Sequence, residues 1–193
     1  MGCHYYDLVQ WSLELAAPGR VSAEGPPVDP QRCPEWLVVH YEYPATATRP
    51  ALKVHWNSSQ KPKEYADLLA KQKWGDGVLF VGDKGMLLAG YTSHKLLPED
   101  KFADYQRPEP SIPKSIGHYK EWVEACKTGG PTTCHFGYAG PLTETVLLGN
   151  VAYRTGTPIE WDAEHLRIPN APQAERFLRR EYRAPWGRVI EQA

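Results

Sequence analysis

The chain has 193 residues and a formal net charge of −1 at pH 7, with no basic stripe of the kind that follows phosphate backbones, so we expect no nucleic-acid partner. No apolar run approaches the roughly 20 residues of a membrane-spanning helix, and the first residues lack the basic and apolar regions of a signal peptide. We therefore expect a cytoplasmic protein that does not bind membranes.

The first predicted element is a helix over residues 3–16 that ends before Pro18. Four residues recur at helical spacing and are expected on its buried face: His4, Leu8, Trp11 and Leu15. Because almost no entry segment precedes this helix, we expect residues 1–193 to be a single domain that is truncated at its N-terminus.

Three strands are predicted next, over residues 20–24, 36–43 and 52–57. The last two form an antiparallel hairpin in which one face is apolar and the other is polar. The register pairs Tyr43 with Leu52, Tyr41 with Val54, Val39 with Trp56, Glu42 with Lys53, and His40 with His55.

The middle of the chain alternates between regular and irregular segments. Residues 61–73 are expected to form a surface helix or an insertion loop. A glycine-rich turn joins residues 77–81 to 86–89, which predicts a second hairpin, and both of its strands are apolar enough to lie mid-sheet or under helices. Residues 95–113 are proline-rich and predict an irregular arm.

The second half of the chain predicts three more helices. The first covers residues 116–127, is capped by Ser115 and ends at Gly129. Its inward residues are predicted to be Tyr119, Trp122, Val123 and Cys126. The next helix opens at Pro141 and ends at Gly156, and a short strand over 159–161 follows it. The wide apolar stripe of this helix consists of Leu142, Val146, Leu147, Leu148, Val151 and Ala152.

The C-terminal part predicts a strand-like segment over residues 166–168 and a helix near 172–183 with Asn170 as its cap. The side chains expected to face inward are Ala174, Phe177, Leu178 and Tyr182.

Few residues have the spacing of a known type of site. Four cysteines, Cys3, Cys33, Cys126 and Cys134, are far apart and indicate small buried or idle thiols. No HExxH, GxSxG or GxGxxG pattern is present, so neither a metal ligand set nor a dinucleotide fold is expected. If His40 and His55 are cross-strand neighbours they could hold a metal, or they could be two exposed or interface imidazoles.

His4 and Asp7 are the best catalytic candidates. A histidine and an aspartate three residues apart lie on the same side of a helix, so Asp7 could orient His4 or stabilise its charge, as a general base requires. The alternative is an ordinary start of a helix.

Several segments, taken in order, resemble the C-terminal half of bacterial Gfo/Idh/MocA-type oxidoreductases. They are GCHYYDLVQWSLEL, RVSAEG, GVLFVGDKGMLLAG, SIGHYKEWVEACKTG, FGYAGPLTETVLLGNVAYRTGTPIEWDAEHLRIPN and LRREYRAPW. The resemblance implies an α+β fold with an open, mainly antiparallel sheet backed by helices on one face, the other face often serving subunit contact. It also implies a Rossmann domain elsewhere in the complete protein, which binds NAD(P) and exchanges hydride with sugars or cyclitols.

The same resemblance implies a role for His4, which matches the catalytic histidine of the family, and for Asp7, which matches an acidic residue often found three positions later. The aspartate that precedes this histidine, the catalytic lysine and the dinucleotide fingerprint have no counterpart in the chain. We therefore expect no cofactor to bind this chain alone.

Three hypotheses follow. The chain is the substrate-binding and oligomerising half of a sugar or cyclitol dehydrogenase, in which His4 is the general acid/base once a Rossmann-domain protein docks. Alternatively, it is a cofactor-free carbohydrate-binding or scaffold module that self-associates through its sheet face. The third hypothesis is an independent hydrolase or metalloenzyme.

Overall fold

The computed structural model describes residues 1–59 and 62–186. In chain order its elements are α1 (Gly2–Ser12), β1 (Arg20–Glu24), β2 (Leu37–Tyr43), β3 (Leu52–Ser58), α2 (Ala66–Lys71), β4 (Val78–Val81), β5 (Met86–Ala89), β6 (His94–Leu97), α3 (His118–Thr128), α4 (Phe136–Thr155) and β7 (Ile159–Glu160). Single turns of 3₁₀ helix cover Lys63–Tyr65 and Asp100–Phe102, and a longer one covers Pro172–Phe177.

The fold is α+β with open antiparallel sheets, as expected. A four-stranded sheet has the order β3-β2-β1-β7, and helix α4 packs on β1 while α1 packs on α4. The main core lies between these helices and the sheet, and its fully buried side chains include Val21, Val39, Ile159 and Ile168.

The register predicted for the hairpin β2–β3 is confirmed at every pair, including His40 with His55 and Val39 with Trp56. Side chains alternate between two faces of very different polarity, so a shift by one residue would move the apolar set into water. Because a shifted register would cost this free energy of exposure, the sequence alone was enough to predict the register.

The second hairpin, β4–β5, is also confirmed, but it belongs to a separate three-stranded sheet of order β4-β5-β6. Strand β6 takes the first residues of the segment expected to be an irregular arm. Of the two predicted placements, mid-sheet or under helices, β5 takes the first, whereas β4 is an edge strand with Val81 56% exposed and contacts helix α1. In the 61–73 segment the helix alternative is correct, since α2 forms there.

Helix α1 is shorter than predicted and buries a different face. It ends at Ser12 because Glu14 adopts a left-handed conformation (φ 48°), and the amide of Leu15 donates to the carbonyl of Gln10 to close the helix. Its buried residues are Tyr6, Val9 and Gln10, whereas the expected inward residues His4 and Trp11 are exposed. Residues within α1 did not reveal which side α4 and β2 would cover.

Helix α3 differs most from expectation. It begins at His118, after Gly117 rather than a Ser115 cap, and none of its residues is buried. The aromatic side chains predicted to face inward, Tyr119 and Trp122, are 80% and 68% exposed. Its end at Gly129, in the left-handed region at φ 68°, is as predicted.

Helix α4 starts at Phe136, so Pro141 is its sixth residue and not its first. Without an N–H, Pro141 leaves the carbonyl of Gly137 unpaired in the helix, a cost limited by the exposure of Gly137 to water. Leu147, expected in the buried stripe, is 53% exposed. The helix ends at Gly156 (φ 73°), as predicted.

The C-terminal helix is a 3₁₀ helix that ends at Phe177, well before residue 183, and Asn170 does not cap it. Instead, the Asn170 side-chain oxygen accepts a hydrogen bond from the Glu160 amide at 2.8 Å. Tyr182, expected inward, is 49% exposed, and the strand-like segment is a single bridge between Asp162 and Arg167.

Among the described residues, no helix is long and apolar enough to cross a membrane.

Candidate functional site

Three segments that are distant in sequence meet around the exposed outer side of α1. Helix α1 contributes His4, Tyr5 and Asp7, the turn between β5 and β6 contributes Tyr91, and the first turn of α4 contributes Tyr138. We call these five residues the His4 cluster.

The aromatic part of the His4 cluster centres on Tyr91. Its ring lies 5.1 Å from the ring of Tyr5 in a tilted arrangement and 6.1 Å from the imidazole of His4, edge to face. His4 is exposed and Tyr91 is 63% exposed, so a molecule in solution can reach both rings. Adjacent ring faces of this kind suit ligands that have both apolar C–H surfaces and hydroxyl groups.

The polar part of the cluster joins α1 to α4. The Tyr138 hydroxyl donates a hydrogen bond to the Asp7 carboxylate at 2.5 Å. Burial raises the pKa of Tyr138 because it disfavours the charged phenolate. The hydrogen bond to the Asp7 carboxylate raises this pKa further, because the phenolate would be a second negative charge beside the first. The phenol is therefore a fixed hydrogen-bond donor, and Asp7 keeps a defined orientation.

Both predicted site residues lie on α1, and the orienting or charge-stabilising role of Asp7 toward His4 stays a prediction. In the described part of the chain, the Asp7 carboxylate is hydrogen bonded to Tyr138 and not to His4. Sequence reasoning missed Tyr91 and Tyr138 altogether. Neither belongs to a periodic pattern, and their positions depend on contacts between distant segments.

Three buried tyrosines connect α1 to strand β2: Tyr6 on the helix, and Tyr41 and Tyr43 on the strand. The hydroxyls of Tyr6 and Tyr43 are hydrogen bonded at 2.6 Å, and the Tyr6 ring meets the Tyr41 ring edge to face at 5.1 Å. Burial raises the pKa of all three phenols, Tyr6, Tyr41 and Tyr43, most strongly that of Tyr6. These contacts fix the rotation of α1 and therefore the outward direction of His4.

Two concavities of the described surface are lined by residues other than His4 and Asp7. One, of about 440 Å³, runs along Arg20, Tyr43 and Lys53 at one end of the four-stranded sheet. The other, of about 280 Å³, lies between α1 and the sheet and is lined by aromatic side chains such as Tyr41 and Trp56. The His4 cluster itself is an open surface.

Neither a metal-binding cluster of three or more ligands nor a buried thiol occurs among the described residues. No group of three or more histidine, cysteine, aspartate or glutamate side chains there is arranged to hold a metal ion. All four cysteines are free and exposed, rather than buried.

The described residues contain no Rossmann-type dinucleotide-binding loop. Every strand pairing among them is antiparallel, and the glycines that follow β4, Gly82 and Gly85, belong to its hairpin turn. A dinucleotide-binding loop requires a strand that leads directly into a helix of a parallel βαβ unit.

No protein-family model matches the chain, and no curated protein matches its sequence. Among solved structures, the chain is similar to one described as a "putative oxidoreductase from Bacteroides fragilis NCTC 9343", with 13% sequence identity and a TM-score of 0.42. The similarity covers 84% of this chain and 52% of the other, so this chain spans about half the length of that protein.

Proposed function

We propose that this chain is the substrate-binding and oligomerisation half of an NAD(P)-dependent sugar or cyclitol oxidoreductase of the Gfo/Idh/MocA type, and that it is inactive without a Rossmann-domain partner. The observation that carries the proposal is the His4 cluster, where the ring of Tyr91 contacts both the exposed imidazole of His4 and the ring of Tyr5. The cluster places an acid/base group, His4, and two aromatic rings, Tyr5 and Tyr91, on the same surface.

Each member of the cluster has a role in this proposal. Tyr5 and Tyr91 would stack against the C–H face of a sugar ring, and His4 would accept the proton of the reacting hydroxyl. Asp7, which Tyr138 holds in place, would be the acidic neighbour of His4 on α1. Because the described residues contain no Rossmann-type dinucleotide loop, NAD(P) would bind mainly to the partner protein.

The binding step can be tested on this chain alone. We expect a panel of sugars and cyclitols, screened by ligand-observed NMR, to contain a ligand whose Kd rises about fivefold in a Tyr91→Ala variant, a loss of about 1 kcal/mol. Tyr105→Ala, at a tyrosine of similar exposure (55%) outside the cluster, is the matched control. If no ligand binds, or if both variants bind equally well, the cluster is not the sugar site.

The catalytic step needs a candidate Rossmann-domain protein, NAD(P) and the sugar that binds. A His4→Ala variant should keep sugar binding but lower kcat by about 10²–10⁴-fold, the usual contribution of a general acid or base. Equal turnover by wild type and His4→Ala would rule out the role of His4.

A second candidate is a cofactor-free carbohydrate-binding or self-associating module, and the exposure of Tyr119 and Trp122 on α3 favours it. Exposed aromatic side chains are enriched at protein interfaces. Sedimentation velocity over a range of concentrations tests it, with Trp122→Asp on α3 and Lys53→Glu on the sheet face as separate variants. A dimer disrupted only by Lys53→Glu would support the sheet face, and a monomer at all concentrations would exclude self-association.

A further inference from the structure

We propose that His40 and His55, on the outward face of the hairpin β2–β3, form a two-histidine site for a divalent transition metal such as Zn²⁺. The two residues are directly opposite each other in the sheet register. Their Nδ1 atoms lie 2.5 Å apart, and their rings cross at 75° with centroids 4.8 Å apart. The Nδ1 atoms of the two imidazoles therefore face each other.

Glu24 selects the tautomer of His40 that metal binding requires. Its carboxylate lies 3.0 Å from Nε2 of His40, on the neighbouring strand β1. A carboxylate at that distance keeps the proton on Nε2, so Nδ1 of His40 carries a lone pair directed at His55. Histidines that bind metals usually donate their other ring N–H to a carboxylate or carbonyl in this way.

The geometry needs only a small adjustment. Without metal, Nδ1–H of neutral His55 donates to the lone pair of His40. Zinc–nitrogen bonds of about 2.0–2.1 Å in a tetrahedral site place two ligand nitrogens roughly 3.3 Å apart, so the two nitrogens must separate by less than about 1 Å and each ring must turn until its lone pair faces the metal. His55 is exposed and can make this shift. Its proton moves from Nδ1 to Nε2, so two metal–nitrogen bonds form without net release of a proton.

The remaining coordination positions belong to water. No third histidine, cysteine or carboxylate in the described part of the chain completes a cluster with this pair. Lys53, two residues before His55 on β3, has a carboxylate neighbour in Glu42 at 3.9 Å, which offsets its repulsion of a bound metal. The site is therefore open, and its water ligands can exchange.

The test is a titration of the ¹⁵N-labelled chain with ZnCl₂, observed through the imidazole ring nitrogens. We expect the Nδ1 signals of His40 and His55 to shift together and saturate at one zinc per chain. This readout distinguishes the pair from zinc bound by exposed cysteines or by the other five histidines. Shifts confined to other rings, or no shift at the pair, would overturn the proposal.

Variants provide a second, independent measure. His40→Ala and His55→Ala should each abolish the saturating shift of the remaining partner, and Glu24→Gln should weaken zinc binding by about tenfold. His94→Ala, at an exposed histidine on β6, is the control and should leave the zinc affinity of the pair unchanged. Circular dichroism of each variant checks that it folds. An unchanged zinc Kd in both alanine variants of the pair would refute the site.

Discussion

The hydroxyl of Tyr138 donates a hydrogen bond to the carboxylate of Asp7, and the two residues are 131 positions apart in the chain. The bond connects the first turn of α4 to the middle of α1, on the side where His4 is exposed. We expect Tyr138→Phe to lower the free energy of unfolding by about 1 kcal/mol, because the partly buried carboxylate loses its donor. Urea denaturation measures this change.

Tyr105→Phe is the matched control for that experiment. Tyr105 is 55% exposed, and its loss of a hydroxyl should change the free energy of unfolding by less than about 0.5 kcal/mol. Equal effects of the two substitutions would mean that the Tyr138–Asp7 bond does not stabilise the fold.

Close packing of α4 on the sheet predicts that Gly149→Ala is destabilising. A Cβ at Gly149 would lie 2.9 Å from both the Tyr41 hydroxyl and a methyl group of Val39. We expect a loss of about 1–3 kcal/mol from overpacking, despite the better helix propensity of alanine. Asn150→Ala, at the exposed next residue, should be neutral or stabilising by up to about 0.5 kcal/mol. Thermal unfolding compares the two, and a stabilised Gly149→Ala would contradict the packing.

The end of α1 offers a stabilising substitution. Glu14 is exposed and holds φ at 48°, a conformation that costs a residue with a Cβ roughly 1–2 kcal/mol. Glu14→Gly should therefore be more stable than Glu14→Ala by about 1 kcal/mol, since only glycine relieves the strain. Chemical denaturation of this pair is the measurement, and an alanine variant as stable as the glycine variant would contradict the left-handed turn.

The buried tyrosines predict loss of stability at alkaline pH. Burial raises the pKa of Tyr6, Tyr41 and Tyr43 in the folded state, whereas tyrosine in an unfolded chain ionises near pH 10. Their contribution is complete below about pH 10 and falls as the pH rises further, because only the unfolded chain releases these protons readily. Tyrosinate absorbance and circular dichroism, followed together, measure it.

In that titration the buried group should ionise only with the loss of helix content. If all eleven tyrosines titrated in one reversible step with the fold intact, the buried hydroxyl pair would not exist as described.

The sequence by itself determined the local features of this protein. The register of β2 against β3 followed from the alternation of Tyr41, Val54 and their neighbours, because each side chain belongs to one of two faces of opposite polarity. The ends of α3 and α4 followed from Gly129 and Gly156, since a left-handed residue closes a helix by contacts within a single turn.

Only the tertiary structure decided which surfaces are covered and which residues meet. Helix α1 contains apolar residues on more than one side, so the choice of Tyr6 and Val9 as its buried face depended on α4 and β2. Tyr91 and Tyr138 reach the surface beside His4 through contacts between segments far apart in the chain. Such contacts leave no local periodicity, because the chain brings the residues together only after its elements have packed.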